Sequence, residues 1–362
     1  MAVMTLPLSD VYNPHGARLL AMQGGNRCAS AREGLCPPKP AISFGRTMTT
    51  GLPFDDTRQL LKNLPGPDEA ARKRVADRNA RLSSQGTALG RVGEISEWLA
   101  AWTGRDPQVL RPLVALFAGT HGLAPYGGKE TQSMIEHAAA GGAMVNQLCA
   151  ANDLGLKIFD LALHLPVGDI GTEPALDERG CAVTMAFGME AVAGGIDLMC
   201  VGTVGVGGTT AASALMAALF GGTGADWVGP GGDANTVDAA LALHGANLKD
   251  PLEALRRLGG REFAAAAGAI LAARVEKAPV ILDGYVPLAA AAVLRAVEPT
   301  AIDHCLLGHV SSEPGMRKAA ERMGMVPLLD LGLGDGEGAG AAFAACVVKN
   351  AALVHTQMAF RE

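Results

Sequence analysis

Two glycine-rich stretches carry the residues best suited to chemistry. In Gly334-Asp335-Gly336-Glu337-Gly338-Ala339-Gly340 one carboxylate sits between glycines that let a ligand approach the backbone. A Glu held on such a loop, partly removed from water, gains proton affinity, as a general base near neutral pH requires. The commoner fate of a lone Glu is a solvated surface turn, and spacing does not separate the two. In Gly202-Thr203-Val204-Gly205-Val206-Gly207-Gly208-Thr209-Thr210, four glycines precede two hydroxyl residues and a helical run beginning Ala211-Ala212-Ser213. Amides at a helix N-terminus with a hydroxyl cap make an anion site for a phosphate or carboxylate. The same text also suits a turn that only connects strand to helix. It has neither the GxGxxG fingerprint nor the lysine of a P-loop. A third stretch, His309-Val310-Ser311-Ser312-Glu313-Pro314-Gly315, offers two hydroxyls to phosphate oxygens. No G-x-S-x-G elbow is present, so a Ser-His-Asp hydrolase fits poorly. His121 and His309 each follow an apolar run without a spaced partner such as HExxH. They read as hydrogen-bonding groups, and neither a metal nor a cofactor is expected.

These residues need elements to hold them. Short continuous apolar runs at 113–118, 156–160, 198–201, 280–283 and 305–308 read as buried strands. Alanine-rich stretches at 182–194, 211–220, 263–274 and 287–296 read as helices between them. Strands alternating with helices predict an α/β fold, a parallel sheet covered by helices on both faces. Ligands of such sheets bind at the carboxyl ends of the strands, where the stretches above lie. Residues 48–110 read as a helical segment, with the Leu64-Pro65-Gly66-Pro67 break inside it, and 111–341 as the α/β catalytic domain.

The composition agrees. The 362 residues suit one large domain or a large domain with a satellite. Aromatic residues make up only 4% while hydrophobic ones reach 49%, so aliphatic side chains must build the core. A formal net charge of -6 argues against nucleic acid as a partner. Seven cysteines without a CxxC pair read as reduced thiols of a cytoplasmic protein. No membrane span is expected. Residues 1–47 show no sustained period and no signal-like apolar region, whereas a helical pattern opens after Met48. The expectation is a disordered or over-called extension with Met48 as the start, against a transit peptide as the rival.

Taken in order, Ala88-Leu89-Gly90-Arg91, Phe117-Ala118-Gly119-Thr120-His121-Gly122 and Gly202–Thr210 resemble one family. So do Leu258-Gly259-Gly260-Arg261-Glu262, Leu282-Asp283-Gly284-Tyr285, His309–Gly315 and Gly336–Ala341. The family is nicotinate-nucleotide–dimethylbenzimidazole phosphoribosyltransferase, and the likeness runs from about Gly51 to Phe360. The segments around Trp98 and Trp227 look like those of alphaproteobacterial members. The resemblance implies transfer of the 5-phosphoribosyl group from nicotinate mononucleotide to 5,6-dimethylbenzimidazole in cobalamin lower-ligand synthesis. It assigns the catalytic base to Glu337. It assigns substrate binding to Gly202, Thr203, Gly205, Gly207, Thr209, Thr210, Gly229, Ser311, Gly336 and Gly338, with Met134 facing the base. It further implies a Rossmann-like three-layer domain, a smaller helical domain completed by a C-terminal helix over 342–362, and a homodimer.

The chain departs from the family pattern at several places. Thr203 stands for a Glu, Gly208 for an Asn, Ala88 for a Ser, and Thr120, Asp335 and Ala339 replace other family residues. The segment after Gly229-Pro230-Gly231 is short and offers no lysine before Lys249. Losing a phosphate lysine weakens binding by ~1.5–3 kcal/mol without removing the chemistry. Two readings follow: an active phosphoribosyltransferase, or a diverged non-catalytic paralogue that binds nucleotide or pairs with an active member.

Overall fold

The computed structural model describes residues 18–22, 51–86, 88–229, 232–334 and 337–361. The apolar runs become the strands of one sheet. They are β1 (Arg18–Met22), β2 (Pro112–Ala118), β3 (Gly155–Asp160), β4 (Leu198–Val204), β5 (Val280–Asp283) and β6 (Cys305–His309). Their order is β1-β3-β2-β4-β5-β6; the last five pair in parallel, and β1 lies antiparallel on the outer edge of β3. Outside β1, the expectations for 1–47 lie beyond the described residues.

Helices cover both faces. Before β2 come α1 (Asp55–Lys62), α2 (Glu69–Ser83) and α3 (Arg91–Thr103). The expected break at Leu64–Pro67 separates α1 from α2, and Asp68 starts α2 by accepting from the Ala71 amide at 2.8 Å. Next are α4 (Gly127–Ala139), α5 (Met144–Asn152) and α6 (Glu178–Met189), then α7 (Gly208–Phe220), α8 (Gly224–Trp227) and α9 (Ala234–His244). The chain continues through α10 (Pro251–Leu258), α11 (Arg261–Val275), α12 (Tyr285–Val297), α13 (Pro314–Met323) and α14 (Ala339–Gln357).

Alternation along the strands builds two cores. Ala115, Phe117, Met199 and Val201 face the layer of α6, α7 and α10–α12, while Val114, Leu116, Leu198 and Cys200 face α4, α5 and α14. Both faces are buried, which is why the strands read as continuous apolar text. Glycine makes the closest crossing: a Cβ on Gly268 of α11 would lie 1.9 Å from the Met185 carbonyl of α6, and one on Gly188 would lie 2.0 Å from that of Ala265. By length and composition α14 could cross a membrane, but 56% of its apolar stretch is buried against the sheet and helices. It begins at Ala339, three residues before the expected boundary, and packs on α3, α5 and the sheet.

One difference concerns β4. The apolar run suggested a strand ending at Val201 followed by a loop, yet the ladder continues through Leu116↔Gly202, Phe117↔Thr203 and Ala118↔Val204. Glycine and threonine read as loop text, but pairing with β2 and full burial hold them extended.

Arg274 of α11 ties the N-terminal helices to this body. Its guanidinium lies 4.0 Å from the Trp102 ring centroid, and its Nε donates to the Pro65 carbonyl at 2.6 Å. His304 lies edge-on to Trp102 and bonds the Ile270 carbonyl through Nε2 at 3.0 Å. Burial, reinforced by the Arg274 charge, pushes its imidazole down to about 3. An unfolded His takes up a proton near ~6.5, whereas this one stays neutral far below that. Its stabilising contribution is therefore complete above pH ~6.5 and is lost by ~1.4 kcal/mol per unit as pH falls toward 3. His304→Gln should flatten this acid limb. In urea titrations at pH 7 and 5, the wild type should lose ~2 kcal/mol more than the variant. Equal losses would remove His304 as a source of acid sensitivity.

Candidate active site

The strand order reverses between β2 and β4, so the loops leaving these strands splay apart into a crevice. Around it lies a cavity of about 440 Å³. Leu123 and Ala124 line it from the loop after β2; Val206, Gly207, Thr209 and Thr210 line it from β4 and α7. Gly229, Asp233 and Thr236 close the far wall, and Glu313 stands before α13. Gly207 enters α7 with φ +97, a left-handed conformation that suits glycine, and α7 has no side-chain cap. Its first-turn amides and the hydroxyls of Thr209 and Thr210 therefore face the space that an anion would fill. Among the described residues lining the cavity, none is Lys or Arg. The Asp233 carboxylate caps α9 through the Thr236 amide at 3.0 Å, and hydrogen bonds from Thr236 hold it below the usual carboxylate range.

Glu337 lies at the carboxyl end of the same strand. Its amide donates to the Thr203 carbonyl at 3.1 Å, and its φ of +61 is one of four positive values among the described non-glycine residues. Left-handed backbone at a non-glycine residue costs on the order of 1 kcal/mol and persists where surrounding structure fixes it. Here the fixing group is the carboxyl end of β4. A Cβ on Gly202 would lie 2.8 Å from the Gly338 amide nitrogen. One on Gly338 would lie 2.7 Å from Leu116 Cδ2 and 2.8 Å from Val114 Cγ1. Gly202 and Gly338 thus act by admitting backbone to backbone. Thr203, 5% exposed, offers its carbonyl to Glu337. Thr203, which Glu337 bonds, and Val206 of the cavity wall are three residues apart, a chain span of at most ~11 Å.

The other candidates are placed as follows. Gly205 stacks against the Gly119 carbonyl, 2.8 Å from where its Cβ would be, and so joins the loops after β2 and β4. Gly229 packs on Pro314 at the cavity wall. Ser311 is buried beside α13, its hydroxyl 3.0 Å from Met316 Sδ, and does not line the cavity. Met134 is half-buried on α4 against the core layer holding Val114, Leu116 and Val145, the side chains around Gly338. Gly336 lies outside the described residues. Sequence reading did not single out Ser213, Asp233 or Thr236, which reach the cavity only through the packing of α7 and α9. It quoted Glu262 within a family marker but gave it no role; its carboxylate bonds His121 Nε2 at 2.5 Å in full burial. The signal available was an acid after two glycines at the head of an apolar helix.

A family model described as phosphoribosyltransferase matches residues 64–362. The Brucella anthropi protein named nicotinate-nucleotide–dimethylbenzimidazole phosphoribosyltransferase is 60% identical over 325 residues, covering 86% of this chain and 96% of its own. The Rhizobium meliloti protein of the same name is 58% identical over 324 residues, with the same two coverages. The crystal structure of the Thermus thermophilus protein of that name superposes with a TM-score of 0.72 at 32% identity, covering 80% of this chain and 96% of that one. With a matching fold and relatives of this identity over most of its length, the chain belongs to the nicotinate-nucleotide–dimethylbenzimidazole phosphoribosyltransferase family.

Proposed function

We propose that this protein moves the 5-phosphoribosyl group of nicotinate mononucleotide to 5,6-dimethylbenzimidazole, giving α-ribazole 5′-phosphate and nicotinate. The observation that carries the reading is Glu337, held in left-handed backbone against Thr203 beside a glycine-walled cavity at the switch point of the sheet. The substrate's pyridinium ring is already a cationic leaving group, so departure needs no acid. The benzimidazole attacks C1′ through one ring nitrogen and must lose a proton from the other. Glu337 accepts that proton, and attack from the opposite face inverts C1′ through an oxocarbenium-like transition state. The remaining work is positioning and electrostatics. The first turn of α7, with Thr209 and Thr210, takes the phosphate. Gly202, Gly205 and Gly338 let the loops of the site pack closely, Gly207 and Gly229 line the cavity, and Ser311 lies behind it beside α13. The apolar layer that Met134 joins near Gly338 suits a flat base.

We place the enzyme in the cytoplasm, in keeping with five free cysteines among the described residues, four of them buried. We read it as a homodimer, with no metal or cofactor in the reaction. Purified protein incubated with nicotinate mononucleotide and 5,6-dimethylbenzimidazole should yield α-ribazole 5′-phosphate and nicotinate in equal amounts. Protein that binds both substrates and forms neither product would overturn the reading.

A further inference from the structure

We infer that the buried His121–Glu262 pair is a positioning device for the turn that grips the phosphoribosyl group. The inference rests on the function proposed above and adds residues that touch neither substrate. The two side chains come from positions 141 apart and are 0% and 1% exposed, with Nε2 and Oε1 at 2.5 Å. His121 lies on the loop after β2, and Glu262 is the second residue of α11. Glycines wrap their contact. A Cβ on Gly119 would lie 1.9 Å from Glu262 Oε2, and one on Gly260 would lie 2.8 Å from the same oxygen. One on Gly208 would lie 3.8 Å from Glu262 Oε1 and 3.9 Å from His121 Nε2. The pair thus sits directly behind the turn that delivers Gly207 and Thr209 to the cavity, and does not itself line that cavity.

Stability does not account for the pair. Buried ionisable partners seldom exceed an apolar pair of the same volume, and this one leaves Glu262 Oε2 and His121 Nδ1 buried without a hydrogen-bond partner. What the pair provides is geometry, because one short bond joins the β2 loop to the head of α11, and the β4–α7 turn packs on that bond at Gly208. The amides of α7 are useful to a phosphate only while that turn is fixed.

The test compares Glu262→Met, which keeps volume and removes the acceptor, with Glu262→Gln, which restores a hydrogen bond. The Met variant should raise KM for nicotinate mononucleotide about tenfold, leaving KM for dimethylbenzimidazole and kcat within about threefold. The Gln variant should recover most of the loss. The double variant His121→Leu/Glu262→Met leaves no polar group unpaired and so keeps a folded protein for the same measurement; it too should show the raised nucleotide KM. Calorimetric titration with ribose 5-phosphate should give the same order of affinities, and does not depend on turnover. Wild-type turnover decides the proposed function separately. Unchanged nucleotide KM and ribose 5-phosphate affinity in the double variant would overturn the positioning role. So would a loss in Glu262→Met that Gln does not restore.

Discussion

Glu337→Gln should lower kcat by about two to four orders of magnitude, the usual worth of a positioned base, with KM for nicotinate mononucleotide within a few fold. The amide is nearly isosteric, and the hydrogen bond that fixes this residue comes from its backbone, the amide to the Thr203 carbonyl at 3.1 Å. The loop should therefore stay in place and only the proton acceptor be lost. Release of nicotinate, followed by chromatography over a range of both substrates, measures the effect. A variant as fast as the wild type would take the base role away from Glu337.

Gly338→Ala should damage both fold and rate. The residue has φ +75, and an added Cβ meets Leu116 Cδ2 at 2.7 Å and Val114 Cγ1 at 2.8 Å. Left-handed strain of ~1 kcal/mol adds to overpacking of ~1–3 kcal/mol, so unfolding free energy should fall by ~2–4 kcal/mol. Any relief must move the loop off β4, carrying Glu337 with it, so kcat should fall at least tenfold in the protein that remains folded. Gly334→Ala is the control, since its Cβ meets nothing within 4 Å and its φ is not positive. Chemical denaturation and steady-state rates on both variants measure this. Equal stability and rate for Gly338→Ala and wild type would show that the loop does not depend on this contact.

The sheet was legible because burial on both faces leaves no polar alternation, so runs such as 113–118 and 280–283 stand out as strands. The end of β4 was not, because Gly202 and Thr203 have loop-like composition and only their pairing with β2 keeps them extended. Glu337 was visible as an acid among glycines, but its backbone conformation follows from a contact with Thr203, far back in the chain. The cavity was half legible. The glycine turn at 205–208 announces the helix end, whereas Asp233, Thr236 and Glu313 join it only through tertiary packing. The described residues of the cavity wall include no Lys or Arg.

On the function proposed above, that wall has a consequence for how substrate and products are held. A phosphate seated on α7 would meet dipoles, while Glu313 and Asp233, whose carboxyl is held below the usual range, line the same cavity. Such a setting favours a guest carrying both signs of charge over a bare anion. Nicotinate mononucleotide arrives with a cationic ring. Once the bond is exchanged, the new ring is neutral and nicotinate is an anion, so neither product keeps the attraction that held the substrate. The rim carboxylates should therefore hold the donor's pyridinium ring more strongly than the ring of either product.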